Sequence, residues 1–267
     1  MKNKVIIITG ASSGIGKALA IDAANRGAKV VLAARNESKL AEVHQAIIQK
    51  GGDALTVKCD VTKEEDCKQM VAACLSQYGK LDILINNAGI SMRAILEEAE
   101  TSVIRDVMEI NFFGTVNCTK HALKPILEQK GSIVGVSSIA GYKGLPGRTG
   151  YSASKFAMQG FLEALRIENI KKGLHVLIAC PGFTASNIRN KALGKDGSVQ
   201  GETPRDEQKM MSAEEVAQRI LDGIEKRKNT LTMTFNGKMT VFLNKFFPKL
   251  VDKLVYNHMS KEPNSPF

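Results

Sequence analysis

Short apolar runs rich in β-branched residues alternate along the chain with longer stretches in which apolar positions recur every three or four residues. The runs Val5 to Thr9, Lys29 to Ala33, Ala54 to Cys59, Leu81 to Ile85, Ser132 to Val136 and His175 to Cys180 predict buried strands. A last short strand is expected from Asn229 to Met233. The helical periodicity predicts helices at 14–26, 37–50, 63–78, 99–129, 150–172 and 212–227. Strands of this kind, buried on both faces and separated by helices, imply right-handed crossovers and a parallel sheet with helices on both sides. The expected fold is therefore α/β and doubly wound.

Two segments break the rhythm. Residues 183–211 carry Gly194, Gly197, Gly201 and Pro204 among charges without a pattern of their own, which fits a lid, a binding loop or disorder, with the substrate expected beneath it. Between Val241 and Tyr256 the residues Phe242, Leu243, Phe246, Phe247, Leu250, Val251 and Leu254 accompany Lys245, Lys249 and Lys253, and Pro248 divides this stretch into two short helices. The expected organisation is one catalytic domain over 1–235 and an amphipathic, basic extension over 236–267. Three readings of the extension stay open: packing on the body or another subunit, a lid over a lipophilic pocket, or peripheral membrane contact through 238–259.

At 267 residues and 43% hydrophobic content, the chain can bury roughly three quarters of its unfolded surface, so its core needs neither disulfide nor metal. Five cysteines, odd in number and without a C-x-x-C pair, fit a reducing, cytoplasmic compartment. Four scattered histidines give no metal-ligand spacing, and no metal is expected. No apolar stretch reaches the roughly 20 residues that cross a bilayer. The net charge is +10, yet eight Lys/Arg from Lys226 onward against Asp252 and Glu262 leave +6 in that segment alone. The excess is C-terminal and comes with no nucleic-acid motif, so no nucleic-acid partner is expected.

Candidate chemistry lies at the strand ends. The first strand runs into Thr9-Gly10-Ala11-Ser12-Ser13-Gly14-Ile15-Gly16 and then a helix. Small residues there let the backbone approach a pyrophosphate, and the free N–H groups of the helix start attract its charge. The second strand ends in Ala34-Arg35-Asn36 without the acid that would accept from the ribose 2′-hydroxyl of NAD. Arg35 either solvates the strand end or pairs with the 2′-phosphate of NADP(H), and the glycine turn in register favours the phosphate. Asp60-Val61 closes the third strand. Asp60 can accept from an adenine amino group, while Thr62-x-x-Glu65 fits a capping box for the next helix.

Tyr151 and Lys155 stand four apart on a predicted helix and so share a face. A phenol titrates near pH 10, and a neighbouring ammonium stabilises its anion, which fits it to exchange a proton with a substrate oxygen. Ser138, at the end of the fifth strand, can hydrogen-bond the same oxygen. Taken in order, Thr9-Gly10-x-x-x-Gly14-Ile15-Gly16, Asp60, Asn86-Asn87-Ala88-Gly89, Asn111, Ser137-Ser138, Tyr151-x-x-x-Lys155 and Pro181-Gly182 resemble the short-chain dehydrogenase/reductase family over about residues 3–233.

The resemblance implies a Rossmann-like sheet in the order 3-2-1-4-5-6-7 and NADP(H)-dependent interconversion of a ketone or aldehyde with an alcohol. By it Tyr151 donates the proton during reduction, Ser138 positions the carbonyl oxygen, and Asn111 holds a water linking Lys155 to solvent. Lys155 also holds the ribose hydroxyls, and Asn87, Ala88 and Gly89 lie along the adenosine side. A homodimer or homotetramer is implied, and so is a small-molecule substrate. The chain departs from the family's pattern in two places. NADP-preferring relatives often carry Lys or Arg where Ser13 stands, which leaves the 2′-phosphate to Arg35 with the Ser12 and Ser13 hydroxyls and Asn36. After Pro181-Gly182 stand Phe183-Thr184-Ala185-Ser186, where Ser186 is expected to offer its hydroxyl to the nicotinamide carboxamide. A similarity to branches with C-terminal extensions points to a lipophilic substrate, steroid-like or acyl-chain, with a small aldehyde or xenobiotic ketone as the other option. A sensor that binds NADP(H) without turnover would be marked by loss of the Tyr or Lys, and both are present.

Overall fold

Register, more than length, explains why the central strand runs are apolar throughout, whereas the run expected to be buried at Ala54–Cys59 forms an edge strand that is only half-buried. In the computed structural model, which describes residues 1–186, 188–201 and 210–267, Ile6 and Ile8 face one helical layer while Val5 and Ile7 face the other. A strand covered on both faces has no solvent side to make polar. The strands are β1 (Val5–Thr9), β2 (Lys29–Ala34), β3 (Asp53–Lys58), β4 (Ile83–Asn86), β5 (Ser132–Val136), β6 (His175–Cys180) and β7 (Thr230–Thr232). They form one parallel sheet in the order β3-β2-β1-β4-β5-β6-β7. The helices are α1 (Gly14–Asn25), α2 (Glu37–Ile48), α3 (Glu64–Tyr78), α4 (Thr101–Met108), α5 (Gly114–Glu128), α6 (Thr149–Glu168), α7 (Ala213–Glu225), α8 (Phe235–Phe246) and α9 (Pro248–Met259). One layer uses α1, α2 and α7, through Leu19, Leu40 and Ile220; the other uses α3, α5 and α6, through Met70, Ile126 and Leu162. Strand order reverses between β1 and β4, which opens a crevice at the carboxyl ends of the strands.

Two local expectations fail for identifiable reasons. The helix expected over 99–129 is divided: Glu109–Phe113 forms a wide π turn between α4 and α5. Asn111 sits inside that turn with its side chain fully buried and bound elsewhere, an interruption of the kind found at functional sites. The capping box at Thr62 does not form either. Lys63 is the N-cap of α3 and makes no side-chain bond there, while the Thr62 hydroxyl donates to Asp60 Oδ1 at 2.9 Å.

Of the loop expected over 183–211, Asn187 and residues 202–209 lie outside the described residues. The extension forms two helices joined at Pro248. Thr234 caps α8 by accepting from the Gly237 N–H at 3.1 Å, and Pro248 begins α9, where a missing N–H is harmless. Residues after α9 then fold back. Arg93 donates to the carbonyls of Pro263 (2.6 Å) and Asn264 (3.1 Å), and Arg148 pairs with Glu262 at 3.1 Å, with side chains 10% and 5% exposed. Glu262→Ala leaves buried guanidinium groups without this carboxylate, a loss of about 3–5 kcal/mol. Calorimetry is expected to show Tm lower by about 10 °C, and an unchanged Tm removes the tail from the folded core.

Candidate active site

A cavity of about 830 Å³ runs along the crevice, and its lining joins the phosphate-type turn at one end to Tyr151 and Lys155 at the other. At the nucleotide end, Gly10 (φ +65°) and Gly14 (φ +53°) take backbone conformations that other residues rarely adopt. Gly16 does not line the cavity. A Cβ there would stand 2.2 Å from the Gly10 carbonyl oxygen, so its hydrogen is what lets α1 close against the turn. Ser13, the N-cap of α1, is extended and its side chain makes no capping bond. The first amides of α1 thus face the cavity beside Ser12, Ser13, Gly14 and Ile15, ready for an anion.

Arg35 is exposed on the cavity rim and has no carboxylate partner among the described residues. Asn36, next to it, spends its Oδ1 on capping α2, accepting from Lys39 N at 2.9 Å and Ser38 Oγ at 2.8 Å. Asp60 and Val61 line the cavity; Asp60 Oδ1 accepts twice from Thr62, leaving Oδ2 for a further donor. Asn87 has a mainly architectural task. Its Nδ2 donates to the Thr9 carbonyl at 2.9 Å, while the N–H groups of Asn87 and Ala88 both donate to Thr9 Oγ1 at 3.0 Å, tying the ends of β1 and β4 together. Ser186 stands over Gly14, where a Cβ on that glycine would meet its Cβ at 3.5 Å. The structure therefore brings Ser186 to the phosphate turn. Thr184 is buried, and its hydroxyl donates to the Gly182 carbonyl at 3.2 Å.

At the other end, Ser138 is the extended N-cap of a single 3₁₀ turn, Ile139–Gly141, and accepts from Ala140 N at 3.2 Å. Burial pushes the Tyr151 phenol up, and the Ser138 hydroxyl and the positive charge of Arg148 and Arg189 oppose that push. Lys155 is buried, donates to the Val136 carbonyl at 2.9 Å, and holds its Nζ 5.7 Å from the centre of the Tyr151 ring. Burial lowers its pKa to about 8.

Asn111 is brought to the same end but does not line the cavity. Its Oδ1 accepts from Ile90 N at 2.8 Å, and its Nδ2 donates to the Ile90 carbonyl (3.0 Å) and Ser154 Oγ (2.9 Å). It thus clamps the segment following Gly89 to α6. A Cβ on Gly89 would stand 3.0 Å from Asn111 Oδ1 and 3.6 Å from Lys155 Nζ, so only glycine leaves this corner open.

Sequence reasoning did not single out Arg148, Arg189 or Met239, and left the lid reading of the extension open. Arg148, one turn before Tyr151, and Arg189 both reach the cavity, as do Met239, Leu243, Val251 and Leu254 from α8 and α9. The alternation of those apolar positions was readable, but only the tertiary placement shows which of them face inward. A second groove of about 750 Å³ lies against α9 beside Lys143 and Tyr256 and includes none of the sequence-predicted site residues. All five cysteines are buried and free. Among the described residues no helix is long and apolar enough to cross a membrane, and no group of three metal-ligand side chains gathers.

Comparison with known proteins agrees with this geometry. A family model described as short chain dehydrogenase matches residues 4–196. The dehydrogenase/reductase SDR family member 7B of Rattus norvegicus is 36% identical over 99% of this chain and 84% of its own length. An 11-beta-hydroxysteroid dehydrogenase of Pinus massoniana is 36% identical over 94% of this chain and 73% of its own length. Among solved structures, a short chain dehydrogenase/reductase SDR from Burkholderia phymatum in complex with NAD superposes with a TM-score of 0.83 at 25% identity, covering 93% of this chain and 95% of the other.

Proposed function

The chain belongs to the short-chain dehydrogenase/reductase family of oxidoreductases, and we propose that within it the protein interconverts a lipophilic ketone or aldehyde and its alcohol with NADP(H). The observation that carries this reading is the meeting of Ser138, Tyr151 and Lys155 at one end of a cavity whose other end is an anion-ready turn. When bound there, a nicotinamide dinucleotide supplies or accepts the hydride. In the direction of reduction the Tyr151 hydroxyl gives its proton to the substrate oxygen, and the Ser138 hydroxyl holds that oxygen in place. The buried charge of Lys155 stabilises the phenolate left behind, and the clamp at Asn111 keeps α6 and the Gly89 corner in register. Oxidation runs the same proton path backwards.

The residues present fit NADP(H) better than NAD. A 2′-phosphate needs a guanidinium that is not already paired, and Arg35 meets that condition at the rim; the end of β2 carries no acid to repel it. Arg35→Ala is expected to weaken NADPH binding by about tenfold to a hundredfold with NADH binding nearly unchanged, measured by nicotinamide fluorescence titration. Equal losses for both nucleotides would take Arg35 out of cofactor choice.

Lipophilic substrates are favoured by the inward faces of α8 and α9, where Met239, Leu243, Val251 and Leu254 wall the cavity beyond Tyr151. The steroid dehydrogenase among the relatives points the same way. The direct test is a panel of ketones and alcohols with NADPH and NADP⁺, followed by nicotinamide absorbance. Turnover is expected to favour bulky apolar carbonyls over short ones, and a uniform absence of turnover counts against the assignment.

A further inference from the structure

The two faces of the α8–α9 pair are both apolar, which a simple lid does not require. Leu243, Val251 and Val255 turn to the cavity. Phe235, Phe242, Phe246, Phe247 and Leu250 do not line it and are between 49% and 76% exposed. Positions 235, 242 and 246 fall on one stripe of α8, 250 and 254 fall on one stripe of α9, and Phe247 stands at the joint between the two helices. The rings of Phe242 and Phe246 stand 5.4 Å apart. An apolar surface of this kind marks a contact with something that removes it from water.

Charge identifies the occupant. Lys238, Lys245, Lys249 and Lys253 accompany the phenylalanines, and no Asp or Glu occurs from Lys226 to Val251. The one carboxylate of α9, Asp252, pairs with Lys143. A second copy of this face would set lysines against lysines, and a nucleic acid would leave the phenylalanines in water. A bilayer with anionic headgroups satisfies both kinds of side chain. Met239 and Leu254 belong to both surfaces, since they line the cavity and are still 38% and 52% exposed.

We propose that the outward face of α8 and α9 seats on an anionic lipid surface, and that a lipophilic substrate passes from it into the cavity beside Met239 and Leu254. The entry route rests on the lipophilic substrate proposed above; the docking surface does not. Sedimentation of the full chain with phosphatidylcholine vesicles, with and without phosphatidylserine, tests the surface. Partition is expected to be about tenfold stronger with phosphatidylserine and to fall in high salt. The double variants Phe242→Ser/Phe246→Ser and Lys245→Glu/Lys249→Glu are each expected to lower it by about tenfold, with NADPH affinity and Tm unchanged as evidence of folding. No partition of the parent protein, or equal partition of the variants, overturns the surface. So does a fall in oligomer mass in the Phe242→Ser/Phe246→Ser variant without vesicle binding, which would make a second copy the occupant. For the entry route, KM for a ketone delivered in vesicles is expected to rise in both variants while KM for a soluble ketone stays fixed. Equal KM values overturn it. Absence of turnover on every lipophilic ketone overturns the route together with the substrate reading, while vesicle partition still decides the docking surface.

Discussion

Tyr151→Phe is expected to lower kcat by about a thousandfold and to leave NADPH affinity within about twofold of the parent protein. The substitution deletes one hydroxyl and keeps the ring, so the packing around α6 is preserved. What disappears is the hydroxyl of a ring whose centre stands 5.7 Å from the Lys155 Nζ. A phenol held up in pKa by burial is mostly protonated at neutral pH, so it is ready to donate during reduction, and the nearby cations limit how far that rise can go. Turnover should therefore vanish without loss of the nucleotide, a split that separates proton transfer from binding. Single-turnover absorbance and fluorescence titration measure the two quantities independently. Retained turnover would sink the acid role of Tyr151, and a parallel loss of NADPH binding would make the hydroxyl a structural prop.

The parts of the molecule that repeat a simple rule were legible in the sequence. Strand runs such as Val5–Thr9 announce themselves because both faces are buried, and the glycines announce a turn because close approach at 10 and 16 and a positive φ at 10 and 14 tolerate nothing larger. Pro248 gave away the break between α8 and α9. Other features depend on contacts between distant residues. Periodicity over 99–129 is continuous, yet Asn111 is drawn to Ile90 and Ser154, and the backbone opens into a π turn to let it reach them. Thr62 and Glu65 have capping-box spacing, but α3 starts one residue later, with Lys63 as its N-cap, and the Thr62 hydroxyl donates to Asp60 instead. The family resemblance gave Ser186 to the nicotinamide carboxamide, and that the path of the chain after Gly182 also sets its Cβ beside Gly14 is visible only in three dimensions. The pairing of Glu262 with Arg148 joins positions with no local relation, and no pattern along the chain announces it.

Lys155→Met is expected to abolish turnover and, at neutral pH, to stabilise the cofactor-free protein. Burial holds the Lys155 ammonium at a pKa of about 8 against 10.5 for an unhindered lysine. That difference is worth roughly 3 kcal/mol against the folded state below pH 8, where both states carry the proton. Methionine has a similar length and no charge, so the penalty goes, although the Val136 carbonyl loses its donor at a cost of about 1–3 kcal/mol. The balance is a gain of about 1 kcal/mol at pH 7. Between about pH 8 and 10.5 the unfolded parent chain holds a proton that the folded one has released, so parent stability rises with pH across that window relative to the variant. The advantage of the variant should shrink and then reverse. Urea unfolding of both proteins from pH 7 to pH 10 measures the crossing directly. A difference independent of pH would mean that Lys155 keeps its proton in the folded protein throughout, stabilised by a partner stronger than the Val136 carbonyl. The same measurement with saturating NADPH should give less advantage to the variant at pH 7, because an anionic nucleotide beside the ammonium repays part of its desolvation, and the charge that weakens the empty fold is the one that the proposed mechanism uses at the Tyr151 phenolate.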